Sequence, residues 1–280
     1  MPGGQAVMLP DGHRLHLHHG PIDLIVDAEG PGRDPALRAA RERFGTVLEE
    51  LVPELPLLRK PVSQDHALTG AIARRMRDAV GPFAPLFITP MAAVAGAVAD
   101  TILAAMISAG DLTRAYVNNG GDVALHLTGD ERFTAAIAAG RADRAVVTAD
   151  SPVRGIATSG RRGRSLSFGI ADGVTVLAPT AAQADAAATM IANAVDLPGS
   201  SKVTRRPARE LAPDSDLGSR LVTVDVGPLD AADIDTALDR GRRFADRCLS
   251  RGLICAAHLT LAGQAISLAR PAAEKELSLA

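Results

Sequence analysis

Residues 173–189 read GVTVLAPTAAQADAAAT, and the change of pattern within this stretch indicates how the chain folds. Its first six residues are apolar apart from one threonine, which is typical of a strand. Pro179-Thr180 then precedes an alanine-rich run, and Thr180 and Gln183 have the spacing of a capping box, in which each side chain bonds the other residue's backbone. The stretch therefore predicts a strand followed by a helix that begins at about residue 181.

Asp185 and Thr189 enclose three consecutive alanines. Asp185 and Thr189 are four residues apart, so a helix places them on one face, one turn apart. Both are poorer helix formers than the alanines between them. A carboxylate, a hydroxyl and a nearby backbone carbonyl are hard oxygen ligands that suit Mg²⁺. A solvated aspartate and a threonine bonded to its own helix are the simpler alternative when the pair is taken alone.

The flanking sequence predicts an α+β fold in which a mostly antiparallel sheet is covered by alanine-rich helices. Apolar spacing predicts helices at 34–58, 69–80, 90–109, 181–195 and 231–251, and strands at 13–28, 116–117, 123–127, 133–139, 145–148, 173–177, 221–226, 254–261 and 265–268. Residues 200–219 mix Ser, Pro, Arg and Asp without periodicity, which predicts an exposed loop, and a polar tail begins at 270. No internal repeat or clean boundary is visible, so one domain spanning 1–280 is expected.

The segment Met91–Ala109, just after Pro90, is the longest apolar stretch, and about 20 apolar residues are enough to cross a bilayer. It is rich in Ala and Gly rather than Leu and contains Asp100, which favours a buried helix over a membrane span. Gly96 would let another element pack closely. Asp100 would be costly without a partner, such as an arginine or backbone amides. A structural role for this pair is as well supported as a functional one.

Two polar loops are further candidates for a binding site. The segment Arg154–Arg164 combines small residues, hydroxyls and arginines, which could cradle an anion, although a flexible basic loop has the same composition. The turn Asn118–Asp122 contains two glycines that would let a planar ligand approach the backbone. Taken alone, this turn is better interpreted as a hairpin connection.

Composition excludes several classes of protein. The 280 residues carry 30 Lys and Arg against 32 Asp and Glu, and they contain no Trp and one Tyr. A basic field and an aromatic stacking surface are both missing, so nucleic acid is not expected as a partner. Cys248 and Cys255 have neither redox nor zinc spacing, and residues 1–10 do not resemble a secretory or lipoprotein signal. A cytoplasmic location with no membrane partner is therefore expected.

Several motifs, taken in order along the chain, resemble the ApbE-like superfamily, whose best-known members are FAD:protein FMN transferases. The motifs are Gly96–Asp100, Asn118–Asp122, Ile156–Gly160, Val174–Thr180, Ala184-Asp185 and Thr189. Further segments at 89–96 and 165–172 resemble an uncharacterised cytoplasmic branch rather than the exported lipoproteins. The resemblance implies a domain related to the T-fold.

The resemblance also implies a site for a flavin and a divalent metal. Mg²⁺ would be held by Asp185, which would also be the catalytic residue, by Thr189 and by a carbonyl near Val94. FAD would be the substrate or ligand, and a hydroxyl of an acceptor protein would attack its diphosphate. The residues that would line the nucleotide cavity are Gly96, Asp100, Asn119, Gly120, Gly121, Asp122, Thr158, Ser159 and Gly160.

Two departures from the transferases leave two functions open. Ala95 stands where the transferases have Lys, and residues 167–172, SFGIAD, stand where they have a His followed by Asp-Pro. One hypothesis is a Mg²⁺-dependent transferase that acts on FAD or a related phosphorylated cofactor. The other is a non-catalytic flavin- or nucleotide-binding accessory protein. The alanine-rich helices could pack within or between subunits, so a homo-oligomer is a further possibility.

Overall fold

A computed structural model describes residues 4–62, 67–137, 144–163, 165–270 and 277–278. The helices are α1 Arg33–Gly45, α2 Val47–Leu51, α3 Leu55–Leu58, α4 Ala71–Val80, α5 Val94–Ala109, α6 Ala181–Ala194, α7 Ala208–Leu211 and α8 Ala231–Ser250. The strands are β1 Gln5–Met8, β2 Leu15–His19, β3 Ile22–Glu29, β4 Arg114–Asn119, β5 Asp122–Leu127, β6 Arg132–Ala136, β7 Arg144–Thr148, β8 Gly155–Ser159, β9 Gly173–Ala178, β10 Val203–Pro207, β11 Leu221–Val226, β12 Ala256–Leu261, β13 Gln264–Ala269 and β14 Leu277–Ser278. The predicted α+β class with a large antiparallel sheet is confirmed.

The chain forms two compact units. The first contains residues Met1–Phe133, Val147–Ala157 and Ala178–Asp185, and the second contains Thr134–Val146, Thr158–Leu177 and Ala186–Ala280. The strands β8 and β9 and the helix α6 contribute residues to both.

The sheet of the first unit has the strand order β1-β2-β3-β4-β5-β8, with antiparallel neighbours from β1 to β5 and between β5 and β8. Buried and partly exposed residues alternate along β3, which buries Leu24, Val26 and Ala28 on one face. This alternation is the pattern of a sheet that covers a core on one side. Helices α1 and α5 pack against each other, and α5 lies against β4 and β5.

The connection between β4 and β5 is a two-residue hairpin. Asn119 pairs with Asp122, and Gly120 and Gly121 between them have φ values of 64° and 115°. Two consecutive positive φ values are characteristic of a tight hairpin turn and favour glycine. The Asn118 side chain accepts a hydrogen bond from the Gly121 amide at 2.8 Å. The hairpin interpretation of this turn is confirmed.

The segment predicted as a helix at 90–109 consists of a 3₁₀ turn, Pro90–Ala93, followed by α5. In length and composition it could cross a membrane, a criterion that the core helix of a globular protein also meets. Its residues Ala97, Ile102 and Met106 are fully buried, and the helix packs between α1 and the sheet. These contacts agree with the prediction of a buried helix.

The second unit contains the strands β9, β12 and β13, in which β12 pairs antiparallel with both neighbours. Every residue of β12 is buried, and α8 packs on β12 and β13. Helix α8 begins with a capping box, because the Asp230 side chain accepts from the Asp233 amide and the Asp233 side chain accepts from the Asp230 amide. Its start at Ala231 agrees with the sequence prediction.

Residues 200–219 are not a continuous loop, and that prediction was wrong. They contain β10 and α7, and β10 pairs with β11. In β10, Thr204 and Arg206 are exposed, Val203 is buried, and Arg205 forms an ion pair with Asp196. A five-residue strand with this many polar residues shows no clear apolar alternation, so the sequence pattern does not identify β10. Of the predicted polar tail, only Arg270 and 277–278 are described, and β14 pairs with β7.

Candidate functional site

In the first unit, two aspartates cap each other's helices. The Asp100 side chain, on α5, accepts hydrogen bonds from the amides of Ala181 and Ala182 at the start of α6, both at 3.0 Å. The Asp185 side chain, on α6, accepts from the Gly96 amide at the start of α5, also at 3.0 Å. The first amides of a helix have no partner within it, so each aspartate satisfies groups that the other helix leaves open.

Gly96 allows the two helix starts to approach closely. A Cβ atom at this position would lie 2.3 Å from the carbonyl oxygen of Ala181, a distance that backbone atoms cannot relieve by a side-chain movement. Gly155 on β8 makes a similar approach, with its hypothetical Cβ 2.1 Å from the carbonyl carbon of Thr180. Glycine is therefore required at both positions for packing, as the sequence predicted for Gly96.

The β4–β5 hairpin is attached to the same place. The Asn119 side chain is buried and donates to the carbonyl oxygen of Ala95 at 3.1 Å. Asp122, at the other end of the hairpin, is near enough to Asp185 for their charges to interact. The structure thus brings together five of the predicted residues: Gly96, Asp100, Asn119, Asp122 and Asp185.

The electrostatics of this cluster are strongly unfavourable for a charged Asp185. Burial raises the pKa of Asp185 well above its ordinary value of 3.8, and the negative charges of Asp122 and Asp100 raise it further. Hydrogen bonds from the amides of Gly96 and Ala95 act in the opposite direction. A bound cation would relieve this repulsion between carboxylates.

Asp100 has the partners that the sequence analysis predicted for a carboxylate in an apolar helix. Burial raises its pKa, while the amides of Ala182 and Ala181 and the positive charge of Arg75 lower it. A guanidinium nitrogen of Arg75 lies 3.9 Å from a carboxylate oxygen of Asp100. Both kinds of expected partner, an arginine and backbone amides, are therefore present.

The three predicted metal ligands lie on two helices, Val94 on α5 and Asp185 and Thr189 on α6. Asp185 has the carboxylate and the negative surroundings of a cation site, Val94 is the first residue of α5, and Thr189 lies four residues after Asp185 on α6 but belongs to the second unit. Among the described residues, no group of three or more His, Cys, Asp or Glu side chains could hold a metal ion. The metal ligand set remains a prediction.

The predicted residues Thr158, Ser159 and Gly160 lie in the second unit. The first two are on β8, not in a loop, and Thr158 is exposed. Its hydroxyl lies 2.8 Å from that of Thr175, a buried residue of β9. Gly160 packs against the chain, because a Cβ there would lie 2.8 Å from the carbonyl oxygen of Asp172. A nucleotide-binding role for these residues remains a prediction.

The described arginines of the segment Arg154–Arg164 are engaged in contacts within the protein, which does not favour an anion cradle there. Arg154 donates to the carbonyls of Ser151, Val153 and Ala149. Arg161 and Arg162 both pair with Asp172, at 2.8 and 3.0 Å. Arg164 lies outside the described residues.

Sequence reasoning missed two side chains that contact predicted site residues, Arg75 in the first unit and Thr175 in the second. Arg75 was not singled out because it lies on an ordinary amphipathic helix, α4, with no motif around it. Thr175 was treated as part of an apolar strand, and its hydroxyl contact with Thr158 depends on the neighbouring strand. For Thr175 a signal existed, since it is the single polar residue in β9.

Several of the sequence motifs meet at one place in the first unit. Helices α5 and α6 are capped by each other's aspartates, and Gly96 lies where the two helices approach. The β4–β5 hairpin is attached there through Asn119. The sequence model of the family described as "AbpE bacteria" matches residues 6–267. The chain therefore belongs to this family.

Curated relatives share part of the chain. A UPF0280 protein from Methanothrix thermoacetophila is 39% identical over 158 residues, which is 54% of this chain and 64% of the relative. A UPF0280 protein from Methanosphaerula palustris is 36% identical over 171 residues, 57% of this chain and 69% of the relative. The matched part thus spans about two thirds of the length of these relatives.

Solved structures share the fold. The apo flavinyl transferase ApbE from Pseudomonas stutzeri superimposes with a TM-score of 0.50 at 11% identity, covering 98% of this chain and 97% of that one. A variant of the flavin transferase ApbE from Vibrio cholerae gives a TM-score of 0.53 at 12% identity, covering 94% and 98%. At these identities the likeness concerns the fold alone.

Proposed function

We propose that this protein is a Mg²⁺-dependent transferase that acts on FAD or a related phosphorylated cofactor. The reaction would transfer the FMN part of FAD to a hydroxyl group of an acceptor protein and release AMP. The acceptor oxygen forms a bond to the phosphorus of the FMN part, the bond from that phosphorus to the oxygen that leaves with AMP breaks, and the hydroxyl proton is released to solvent. Family membership and the shared fold support this proposal.

The observation that carries the proposal is the environment of Asp185. A partly buried carboxylate whose pKa is raised by burial and by Asp122 and Asp100 is poorly stabilised without a cation. Carboxylate oxygens are the ligands that Mg²⁺ prefers. The residues present therefore fit a divalent cation, and Asp185 would hold it, with Thr189 and a carbonyl near Val94 as further predicted ligands.

The remaining residues of the cluster would position the site. When bound, the cation would supply positive charge to the phosphate oxygens of the substrate. The Gly96 amide holds the Asp185 carboxylate in place, and Asn119 fixes the start of α5 through the Ala95 carbonyl. These contacts keep the carboxylate preorganised, which is the main requirement for electrostatic stabilisation.

Two observations favour the second function, a non-catalytic flavin- or nucleotide-binding accessory protein. Ala95 provides no positive charge near the cluster. Ser167 is buried, with its hydroxyl 3.3 Å from the Asn193 side-chain oxygen and 3.2 Å from the Gly169 amide, so it serves the structure of this segment. In this alternative the protein would bind the cofactor without producing AMP.

The test is a titration of the protein with FAD, followed by absorption and fluorescence, with and without Mg²⁺. Small-molecule products are then identified by mass spectrometry in the presence of candidate acceptor proteins. Without Trp, the protein contributes little fluorescence of its own. We expect Mg²⁺-dependent binding with release of AMP, and we expect Asp185→Asn to abolish that release.

Asp34→Asn is the matched control, because Asp34 is an exposed carboxylate of the same unit that pairs with Arg33 and lies outside the binding regions. It should keep wild-type turnover. Unchanged turnover in a folded Asp185→Asn variant would exclude this role for Asp185. FAD binding without any product would favour the accessory protein instead.

We also propose a cytoplasmic location. Cys248 and Cys255 are both buried thiols, which fits a reducing compartment. Fractionation of the producing cells, followed by detection of the protein, tests this location. Detection in the membrane or exported fraction would contradict it.

A further inference from the structure

A separate cleft in the first unit lies between α4 and the start of α6. It has a volume of about 420 Å³, and its polar lining includes Arg74, Arg75, Asp78, Thr180 and Gln183. Asp185 and Asn119 are not among the residues that line it. The cleft borders the carboxylate cluster, because Arg75 and Ala182 in its lining contact Asp100, but Asp185 does not line it.

The charge of this cleft is positive. Two arginines face one carboxylate in the lining, and that carboxylate, Asp78, is paired with Arg77 at 2.7 Å. Arg74 is exposed and has no ion pair among the residues that the structure describes. Arg75 is the ion-pair partner of Asp100, but their separation of 3.9 Å is beyond normal hydrogen-bond distance, so this ion pair uses none of the N–H donors of Arg75.

Thr180 and Gln183 add neutral hydrogen-bonding groups to the lining of the cleft. The Thr180 hydroxyl accepts a hydrogen bond from the Gln183 amide at 3.2 Å and keeps its own proton to donate. The side-chain oxygen of Gln183 is buried and has no hydrogen-bond partner in the described part of the chain. The second bond of the predicted capping box is therefore not formed, and rotation of the Gln183 side chain would present this oxygen to a ligand in the cleft.

We propose that this cleft binds the phosphate group of a small phosphorylated ligand. Arg74 and Arg75 supply charge-assisted hydrogen bonds to phosphate oxygens, and the Thr180 hydroxyl supplies a neutral one. A hydroxyl of the ligand, or a protonated phosphate oxygen, donates to the side-chain oxygen of Gln183. Carboxylates are bound less well, because they offer fewer acceptor oxygens to these three donors.

The test is a titration of the full-length protein with inorganic phosphate at constant ionic strength, followed by ¹H–¹⁵N nuclear magnetic resonance. The backbone amides of Thr180 and Gln183 should shift and saturate. Arg74→Gln and Arg75→Gln should each weaken the affinity by about tenfold, which corresponds to about 1.4 kcal/mol. Arg41→Gln, which removes an exposed arginine of α1, is the matched control and should change the affinity by less than about twofold.

Phosphate binding that is insensitive to both Arg74→Gln and Arg75→Gln would overturn the proposal, as would equal weakening by Arg41→Gln or the lack of saturable shifts. A parallel titration with glycerol phosphate distinguishes the source of the phosphate. Tighter binding than inorganic phosphate indicates an organic phosphate ligand, and equal binding indicates free phosphate. Asp185→Asn should bind phosphate normally, so this test is independent of the proposed transferase activity.

Discussion

Replacing Asp100 by alanine would remove the cap of α6 while leaving α5 able to form. The substitution deletes two hydrogen bonds of 3.0 Å between a carboxylate and the amides of Ala181 and Ala182. Hydrogen bonds to charged groups contribute about 1.5–3 kcal/mol each. Removing the buried charge recovers part of its desolvation cost, which is the cause of the raised pKa of Asp100. We therefore expect the free energy of unfolding to fall by about 2–4 kcal/mol, at or above the usual range for helix caps.

The measurement is urea denaturation followed by circular dichroism, compared at equal m-value. Asp78→Ala is the control, since it removes an exposed carboxylate whose ion pair with Arg77 should contribute less than about 1 kcal/mol. Hydrogen exchange gives a local readout that does not require two-state unfolding. The amides of Ala181 and Ala182 should exchange faster in Asp100→Ala, because their acceptor is gone.

An unfolding free energy within about 0.5 kcal/mol of wild type, the range of ordinary surface substitutions, would refute the reasoning. Unchanged exchange at Ala181 and Ala182 would refute it independently. Asp100→Asn should fall between the two extremes, because its side-chain oxygen can accept from one of the two amides while its NH₂ group faces the other.

Gly96→Ala should lower the free energy of unfolding by about 1–3 kcal/mol in the same denaturation assay, because the added Cβ would lie 2.3 Å from the Ala181 carbonyl oxygen. The control is Gly45→Ala, which should be neutral or stabilising because no atom lies within 4 Å of the Cβ that it adds. Burial raises the pKa of Cys248 from 9.0 to about 11, so the unfolded chain ionises first and stability should be lost as pH rises from 9 to 11. Cys248→Ala should show a smaller loss over that range in denaturation curves measured at each pH, and an equal loss would contradict the assignment. Ala262 has a φ of 48° in the turn between β12 and β13, so Ala262→Asn should raise the melting temperature by about 1–3 °C in calorimetry, whereas a lower value would argue against relief of backbone strain.

Local sequence patterns predicted the elements of the site but not how they are joined. The start of α6 at Ala181 and the hairpin at Asn118–Asp122 follow from capping and turn preferences that act within a few residues. The need of Asp100 for a partner also followed from its apolar surroundings. Its pairing with amides more than 80 positions away could not be predicted, because no periodicity relates residues so far apart.

The segments that were wrongly predicted or missed share a physical cause. Strand β8 is rich in small and polar residues, and β10 carries two arginines, so neither shows the alternation that identifies a strand. Both gain their structure from neighbours: β8 pairs with β5, and β10 pairs with β11. Tertiary pairing outweighs weak local preference in such strands.

The reciprocal caps also constrain the order in which the molecule can fold. The bond from Gly96 to Asp185 spans 89 residues, and the bonds from Ala181 and Ala182 to Asp100 span 81 and 82. During synthesis, α5 is translated well before Asp185, whose side chain accepts the hydrogen bond from the Gly96 amide in the first turn of α5. Contacts of such long sequence separation are slow to form, because the entropy of closing the loop is lost before they stabilise anything. The starts of α5 and α6 should therefore become protected late and together in a refolding experiment.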